Sequence, residues 1–363
     1  MRQDNNRRLL WGLTYAKNKR PSWEPFSALR LYKSEIAKRL STDIHFSASD
    51  NAQDAVRQLK EIEPDVLLIC STWDIGCEEI KHLIHALSAV GSVKKMVFID
   101  PCDGTCTPYL PLLGDVDLYV KPHSFRDSRM YLDEYFGGYI FTDFLVKRLG
   151  WELNGWHFGS CARKENMGKL RVGWSYGVSR RNCALARLSS LLPMPWAFRR
   201  TDVNRRFCPV ERGAQEWYAR YRRMASRAVE TLGGRVRISG YERIKYKRYL
   251  LELMNTKIAL SPFGWGEICI RDYEAIACGA LLIKPDVRHV QTKPDIFRAN
   301  ETYVPVKWDF SDLAEKADYF LSHPGEARQI ALAGRKSLLK YFKQRQFLED
   351  FRDCLDGLDT ITT

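Results

Sequence analysis

Short apolar runs, each followed by a segment with apolar residues at helical spacing, recur through the first 125 positions, and this alternation restricts the chain to a layered α/β fold. Arg8 to Tyr15 reads as a strand, Pro25 to Leu40 as a helix, Ile44 to Ser47 as a strand and Asn51 to Ile62 as a helix. Asp65 to Cys70 follows as a buried strand, Glu78 to Val90 as a helix and Lys94 to Asp100 as a further strand. Strands separated by helices of about 10–15 residues indicate βαβ units on a parallel sheet. The runs are continuously apolar, which suits strands covered on both faces.

The pattern breaks between Phe136 and Lys169, where glycine and tryptophan punctuate the chain, and then resumes. Leu170 to Trp174 reads as a strand, Arg180 towards Leu192 as a helix and Ala214 to Leu232 as a long helix. Gly234 to Ile238 is expected as a strand, Tyr246 to Met254 as a helix and Lys257 to Ser261 as a strand. Arg271 to Cys278 is then a helix and Ala280 to Lys284 a strand, and helices over Asp312–His323, Glu326–Lys336 and Leu339–Leu358 finish the chain. A length of 363 residues exceeds one core at ~100–200 residues per domain. The expected organisation is two α/β domains, residues 1–160 and 161–340, with the boundary between 145 and 175. A C-terminal helix, 341–363, is expected to pack back towards their junction.

The charge balance narrows the partners. With 57 basic and 44 acidic residues the net charge is +13, which favours anionic ligands. Basic residues gather in Lys17–Arg20, in Arg199–Arg206 and from Arg220 to Arg248, either as binding surfaces or as solvated faces. No run approaches the ~18 apolar residues of a membrane span, and the polar N-terminus lacks the apolar core of a secretory signal. The ten cysteines show no zinc-type spacing, since only Cys102 and Cys106 are close, so reduced structural thiols are expected. These features together suggest a cytoplasmic protein, with peripheral attachment to an anionic membrane through Lys17–Arg20 and Arg220–Arg248 as one option.

The stretch from Ser261 to Pro285 carries the chemistry. It reads as strand, glycine loop, helix, glycine and strand. Gly264 and Gly266 would let backbone approach a ligand, and the helix start beyond them offers N–H groups and a positive dipole end suited to phosphate. Arg271 lies in the first helical turn, where a guanidinium can grip two phosphate oxygens. Glu274, three residues on, shares its face and can accept the hydroxyl protons of a ribose. The plainer alternative is a surface ion pair between Arg271 and Glu274.

The string Glu274-Ala-Ile-Ala-Cys-Gly279 resembles the Glu-Ala-x-x-x-Gly signature of GT-B glycosyltransferases. The spacing of Arg271 and Glu274 behind a glycine loop is similar to exostosin-like members. In the large retaining group 1 branch two glutamates are separated by seven residues, which would put the first at position 266; that residue is Gly266, and the nearest acid is Glu267. The resemblance implies two Rossmann-like domains facing across a cleft, the donor held by the C-terminal domain and the acceptor by the N-terminal one, with no required metal or other cofactor. By it, Glu274 holds the ribose and Arg271 the diphosphate. Gly264, Gly266 and Ser261 of the same stretch join the nucleotide-sugar candidates, as does Arg180, which with Arg181 follows the Leu170–Trp174 strand at the C-terminal edge of its sheet or is simply a solvated pair.

A base for the acceptor hydroxyl is sought at the C-terminal edge of the N-terminal sheet, where α/β ligands bind. Asp103 and Asp100 follow a strand there and are the first and second choices, with Glu267 as a third acid; each Asp also fits a turn cap. Lys284 and His289 are further hydrogen-bond donors beyond the next strand, and Asp115-Val-Asp117 reads as a turn rather than a metal motif. The expected reaction is transfer of a sugar from a nucleotide sugar to a hydroxyl of a glycan or glycolipid. The alternatives are a basic nucleic-acid-binding protein, for which no reading module is visible, and a nucleotide-sugar epimerase on the same architecture.

Overall fold

A computed structural model describes residues 7–17, 20–207 and 216–360. Its strands are β1 (Arg8–Tyr15), β2 (Thr42–Ser49), β3 (Val66–Ser71), β4 (Lys95–Ile99), β5 (Leu118–Lys121), β6 (His123–Phe125), β7 (Leu170–Val172), β8 (Thr201–Asn204), β9 (Thr256–Leu260), β10 (Leu281–Pro285), β11 (Val290–Thr292) and β12 (Val304–Val306). Six of them form an N-terminal parallel sheet in the order β2-β1-β3-β4-β5-β7. Four others form a C-terminal parallel sheet, β12-β10-β9-β8. β1 lies between β2 and β3, and every residue of β3 is buried, as its unbroken apolar run requires.

The crossover helices are set by local chemistry. Helix Ala52–Ile62 begins where the Asn51 side chain accepts the Asp54 N–H, and helix Arg180–Leu191 begins where Ser179 accepts that of Asn182. Helix Ile270–Cys278 ends on Gly279, whose φ of 70° places it in the left-handed region that the sequence assigned to a cap.

Several elements differ from the sequence reading. Leu170–Val172, expected to open the second half, instead pairs with β5 and closes the N-terminal sheet. The expected helix over 25–40 is two short ones, Ser27–Leu31 and Lys33–Arg39. In place of the strand at 234–238 there is a helical turn and a single bridge from Ile238 to Val203. The helix expected over Ala214–Leu232 is described from Glu216 to Glu230; Ala214 itself lies outside the described residues, as do Cys208 and, in the basic segment 17–20, Asn18 and Lys19.

A strand pair and the last helix are among the features that join the halves. β6, from the N-terminal half, pairs antiparallel with β11 from the C-terminal half. The final helices run Pro324–Gln344 and Phe347–Thr360, broken at Arg345, whose φ of 54° ends the first. The last helix lies against early residues: Phe347 stacks on Tyr32 with centroids 5.1 Å apart, Trp174 meets both Phe347 and Phe351, and Asp359 bonds Arg8. Every described cysteine is a free thiol. Among the described residues no helix is long and apolar enough to cross a membrane.

The basic runs are only partly built into the fold. Arg199 is buried, Arg205 pairs with Glu230 and Arg206 with Glu242 and Glu252, so the run 199–206 carries strand β8 and ion-paired arginines, with Arg200 exposed. Lys17 pairs with Glu79, Arg220 lies over the Trp151 ring, Arg222 bonds the Phe207 carbonyl and Arg237 pairs with Asp202. Charge that looked like one basic face in the 220–248 stretch is divided between buried and exposed positions.

Candidate active site

Between the two sheets lies a cavity of about 620 Å³, with walls from both halves. The loop after β4 contributes Pro101, Cys102, Asp103 and Gly104, and the loop before helix 270–278 contributes Trp265, Ile268 and Cys269. Ile270 and Arg271, the first helical residues, also line it, as do Ser175, Tyr176 and Gly177 of the segment that crosses between the sheets. Both sheets present loops that follow their strands, the edge at which open α/β sheets take ligands. Trp73, Trp156, Phe158 and Trp265 give the cavity an aromatic rim, Trp265 stacking on Tyr218 at 4.5 Å.

Arg271 reaches this cavity without an acidic partner. Its Nε approaches the buried Ser261 hydroxyl at 3.4 Å and its Nη2 approaches the Cys269 sulfur at 3.8 Å, and no ion pair engages it among the described residues. The surface ion pair with Glu274 is therefore not formed. Glu274 is buried instead, and its Oε1 accepts the Tyr246 hydroxyl at 2.6 Å. Burial raises its carboxyl above the ordinary value, against the opposing pull of Tyr246, Arg181 and Arg271. Glu274 stands behind the cavity wall rather than in it. Arg180 is exposed and lines an adjoining cavity of about 490 Å³ with Arg30, Arg181 and Trp23. The two cavities share Glu24, Tyr176 and Ile270, so Arg180 and Arg271 flank one continuous cleft.

The glycines act differently from one another. A Cβ on Gly266 would lie 1.4 Å from the Asp103 carbonyl oxygen, so Gly266 is bare because the facing domain's backbone passes there, not because a ligand does. Gly264 has no such neighbour; its N–H bonds the Gly266 carbonyl at 3.0 Å.

The three candidate acids also separate. Asp103 faces the cavity, and its carboxyl is pushed up to about 6 by burial, with Glu267 and Glu24 adding to the effect. Asp100 is fully buried: Oδ2 takes the Lys121 ammonium at 2.6 Å and the Tyr119 hydroxyl at 2.9 Å, and Oδ1 takes the Cys102 N–H at 2.8 Å. That set of donors anchors the loop and leaves Asp100 outside the cavity.

Glu267 is equally enclosed. It accepts the Thr105 N–H at 2.9 Å, the Thr105 hydroxyl and the Tyr139 hydroxyl at 2.7 Å, all from the N-terminal half. His289 and His123 place their Nε2 atoms 3.6 and 3.9 Å from it. Burial alone would raise this carboxyl, but His289, His123 and Thr105 outweigh it and hold Glu267 well below the ordinary range. Burial drives His123 the other way, down to about 4, despite the nearby carboxylate.

Lys284, expected as a donor to the ligand, is buried and spends its ammonium on Asp272 at 2.5 Å and the Glu267 carbonyl at 2.6 Å. Asp115 and Asp117 are occupied by His85, the Met96 N–H and Lys95, as a turn at a strand entrance would have them. Thr105, Tyr139, His123 and the aromatic rim were not anticipated. Nothing local in the sequence marks the first three, because their partner Glu267 is more than a hundred residues away.

Known proteins resemble this chain in part of its sequence and in its fold. A family described as glycosyl transferase-like matches residues 215–353. Among solved structures, a glycosyltransferase from Rickettsia africae ESF-5 is similar over 98% of this chain and 99% of its own, with a TM-score of 0.50 at 11% identity. A sucrose-phosphate synthase from Thermosynechococcus elongatus is similar over 98% and 100%, with a TM-score of 0.52 at 10% identity. No curated protein matches the chain. Residues 215–353 are thus similar to a glycosyl transferase-like family, and the chain as a whole has the GT-B fold.

Proposed function

We propose that this protein transfers a glycosyl group from a nucleotide sugar to a hydroxyl of a glycan or glycolipid, without a metal ion. The observation that carries the reading is Arg271. A guanidinium with no acidic partner among the described residues, in the first turn of helix 270–278 and facing an interdomain cavity, is a site for an anion. The diphosphate of the donor would take its place there, with Arg180 at the adjoining helix start. Glu274, behind the cavity wall, would accept a ribose hydroxyl once the Tyr246 hydroxyl that it now accepts moves aside.

Asp103 stands on the opposite wall. A carboxyl pushed up to about 6 is mostly ionised at neutral pH and still basic enough to take a proton from an attacking hydroxyl. The proton would pass to Asp103 as the acceptor oxygen bonds the anomeric carbon and the nucleoside diphosphate leaves towards Arg271. Asp100 and Glu267 would support this arrangement by fixing the loop and the domain contact. The aromatic rim suits the flat faces of sugar rings.

Calorimetric titration with a panel of UDP, GDP, ADP, dTDP and CMP tests the donor site. One of them is expected to bind, and Arg271→Ala and Glu274→Ala are each expected to weaken it about tenfold or more, the loss of one charge-assisted bond of about 1.5–3 kcal/mol. Unchanged affinity in both variants would place the donor elsewhere.

A further inference from the structure

The end of the C-terminal domain remote from the cleft carries an exposed apolar segment. Helix Arg180–Leu191 starts at the cleft and finishes there, and the chain continues as Leu192-Pro-Met-Pro-Trp-Ala-Phe198 before entering β8. Leu191, Leu192 and Phe198 are 78%, 74% and 72% exposed, and Leu188 and Met194 are also exposed. Five large apolar side chains within eleven residues form a patch of the kind that marks an interaction surface.

The segment is held rigidly outward. Arg199 is buried beneath it and donates to the carbonyls of Thr256, Gly279 and Met194. Arg335 donates to the Ser189 carbonyl at 3.0 Å, at the end of helix 180–191. Two buried cations thus satisfy carbonyls that a helix end and neighbouring turns leave open. Arg200 is tied through its N–H to the Asn255 side chain at 2.9 Å, and Leu251, one helical turn earlier, is 68% exposed at the same end of the domain.

The surrounding charge selects the partner. Residues 180–201 contain five arginines and no acidic residue. Arg187 and Arg200 are exposed within or beside the apolar segment, and Lys247 and Arg248 are exposed on the helix that carries Leu251. Leucine, methionine and phenylalanine bordered by arginine match the boundary of an anionic lipid bilayer, where the apolar groups enter the acyl region and the cations meet headgroup phosphates. We infer that the segment 188–200 docks this protein on an anionic phospholipid surface, through a face separate from the cleft. This goes beyond the proposed reaction and does not depend on it.

The test is co-sedimentation with vesicles of phosphatidylcholine alone or mixed with phosphatidylglycerol, at low and physiological salt. The protein is expected to pellet with the anionic vesicles and not with the neutral ones. A variant combining Leu191→Ser, Leu192→Ser and Phe198→Ser should lose at least tenfold in partition, and Arg187→Gln with Arg200→Gln should bind only at low salt. Unchanged melting temperature and unchanged nucleotide affinity would show that both variants remain folded with the cleft intact. Equal binding to neutral vesicles, or apolar variants that pellet like the parent, would overturn the proposal. A parent that ignores vesicles but sediments as a dimer, and becomes monomeric in the triple variant, would show that a second copy covers the patch instead.

Discussion

Glu267 shows how far the residue scale can depart from what its neighbours in sequence suggest. It sits in a glycine loop beside a helix start, the place of a catalytic or ligand-binding acid, yet three donors from the other half consume it. Its partners Thr105 and Tyr139 lie 162 and 128 positions away, a distance over which no periodicity or spacing carries information. The place of Arg271 and Asp103 on the cavity wall was legible because the features that mark them are local: a glycine loop, a helix start, the end of a strand. Glu267→Gln should therefore destabilise the fold by about 3 kcal/mol, because an amide turns a donor towards hydroxyls that need acceptors. A denaturant midpoint equal to the parent's would remove Glu267 from this structural role. His123 adds a pH dependence. Unfolded, it takes a proton near 6.5, whereas in the fold burial holds it down to about 4. The unfolded state binds more protons between these values, so stability should fall as pH falls from about 6.5 to about 4, by up to about 3 kcal/mol. The depressed carboxyl of Glu267 acts in the same direction, its contribution being lost only below the ordinary carboxylate range. Urea midpoints measured at pH 7 and pH 5 would check this, and a flat profile would contradict it. Catalysis should show a separate limb: kcat/KM should drop below about pH 6 as Asp103 protonates, and Asp103→Asn should lower kcat about 100-fold or more while leaving nucleotide affinity near the parent's.

At the scale of elements, long apolar strands and amphipathic helices were readable, and short polar strands were not. β1, β3, β9 and helix Tyr246–Met254 fall within a residue or so of where periodicity puts them. β5, β6, β8, β11 and β12 are three or four residues each, and sequences such as Thr201-Asp-Val-Asn204 or His123-Ser-Phe125 are too short and too polar to show a period. They become strands because a neighbouring strand supplies the pairing. The run from Glu326 to Leu358 erred in a different way. Its apolar spacing continues past Arg345, so the left-handed turn there has no signal of its own. The two glycines of the 264–266 loop offer a direct test of element contact. Gly266→Ala would drive a methyl group into the Asp103 carbonyl, forcing the two loops apart, whereas a methyl on Gly264 meets nothing closer than 3.8 Å. The first should lower the melting temperature and weaken nucleotide binding; the second should change the melting temperature little. Equal behaviour of the pair would mean that the loops do not meet as described.

The whole molecule is two sheets joined by varied contacts: the Glu267 cluster, the β6–β11 pair, the last helix, and an aromatic cluster in which Phe141, Phe144 and Trp156 of the N-terminal half meet Trp217, Tyr221, Phe263 and Trp308. The cavity exists only while these hold the walls together, so binding and interdomain stability should be coupled, and a ligand that engages both walls should raise the melting temperature in proportion to the logarithm of its concentration. The last helix supplies an apolar part of this contact. Phe347 and Phe351 are buried, packed on Tyr32 and Trp174, and both rings come from a segment that leaves the C-terminal half to reach them. Truncating a buried phenylalanine costs about 3–5 kcal/mol, part of it the cavity left behind. Here the loss falls on the contact between the halves and only indirectly on either sheet. Calorimetry of the parent should give one unfolding transition, since neither half melts without exposing the other's surface. Phe347→Ala with Phe351→Ala should split it into two, the earlier one belonging to the N-terminal half, which loses the cover over Tyr32 and Trp174. A single transition at the parent's temperature in the double variant would show that the last helix is not what ties the halves together, and would leave that role to the Glu267 cluster, the β6–β11 pair and the aromatic cluster around Phe141.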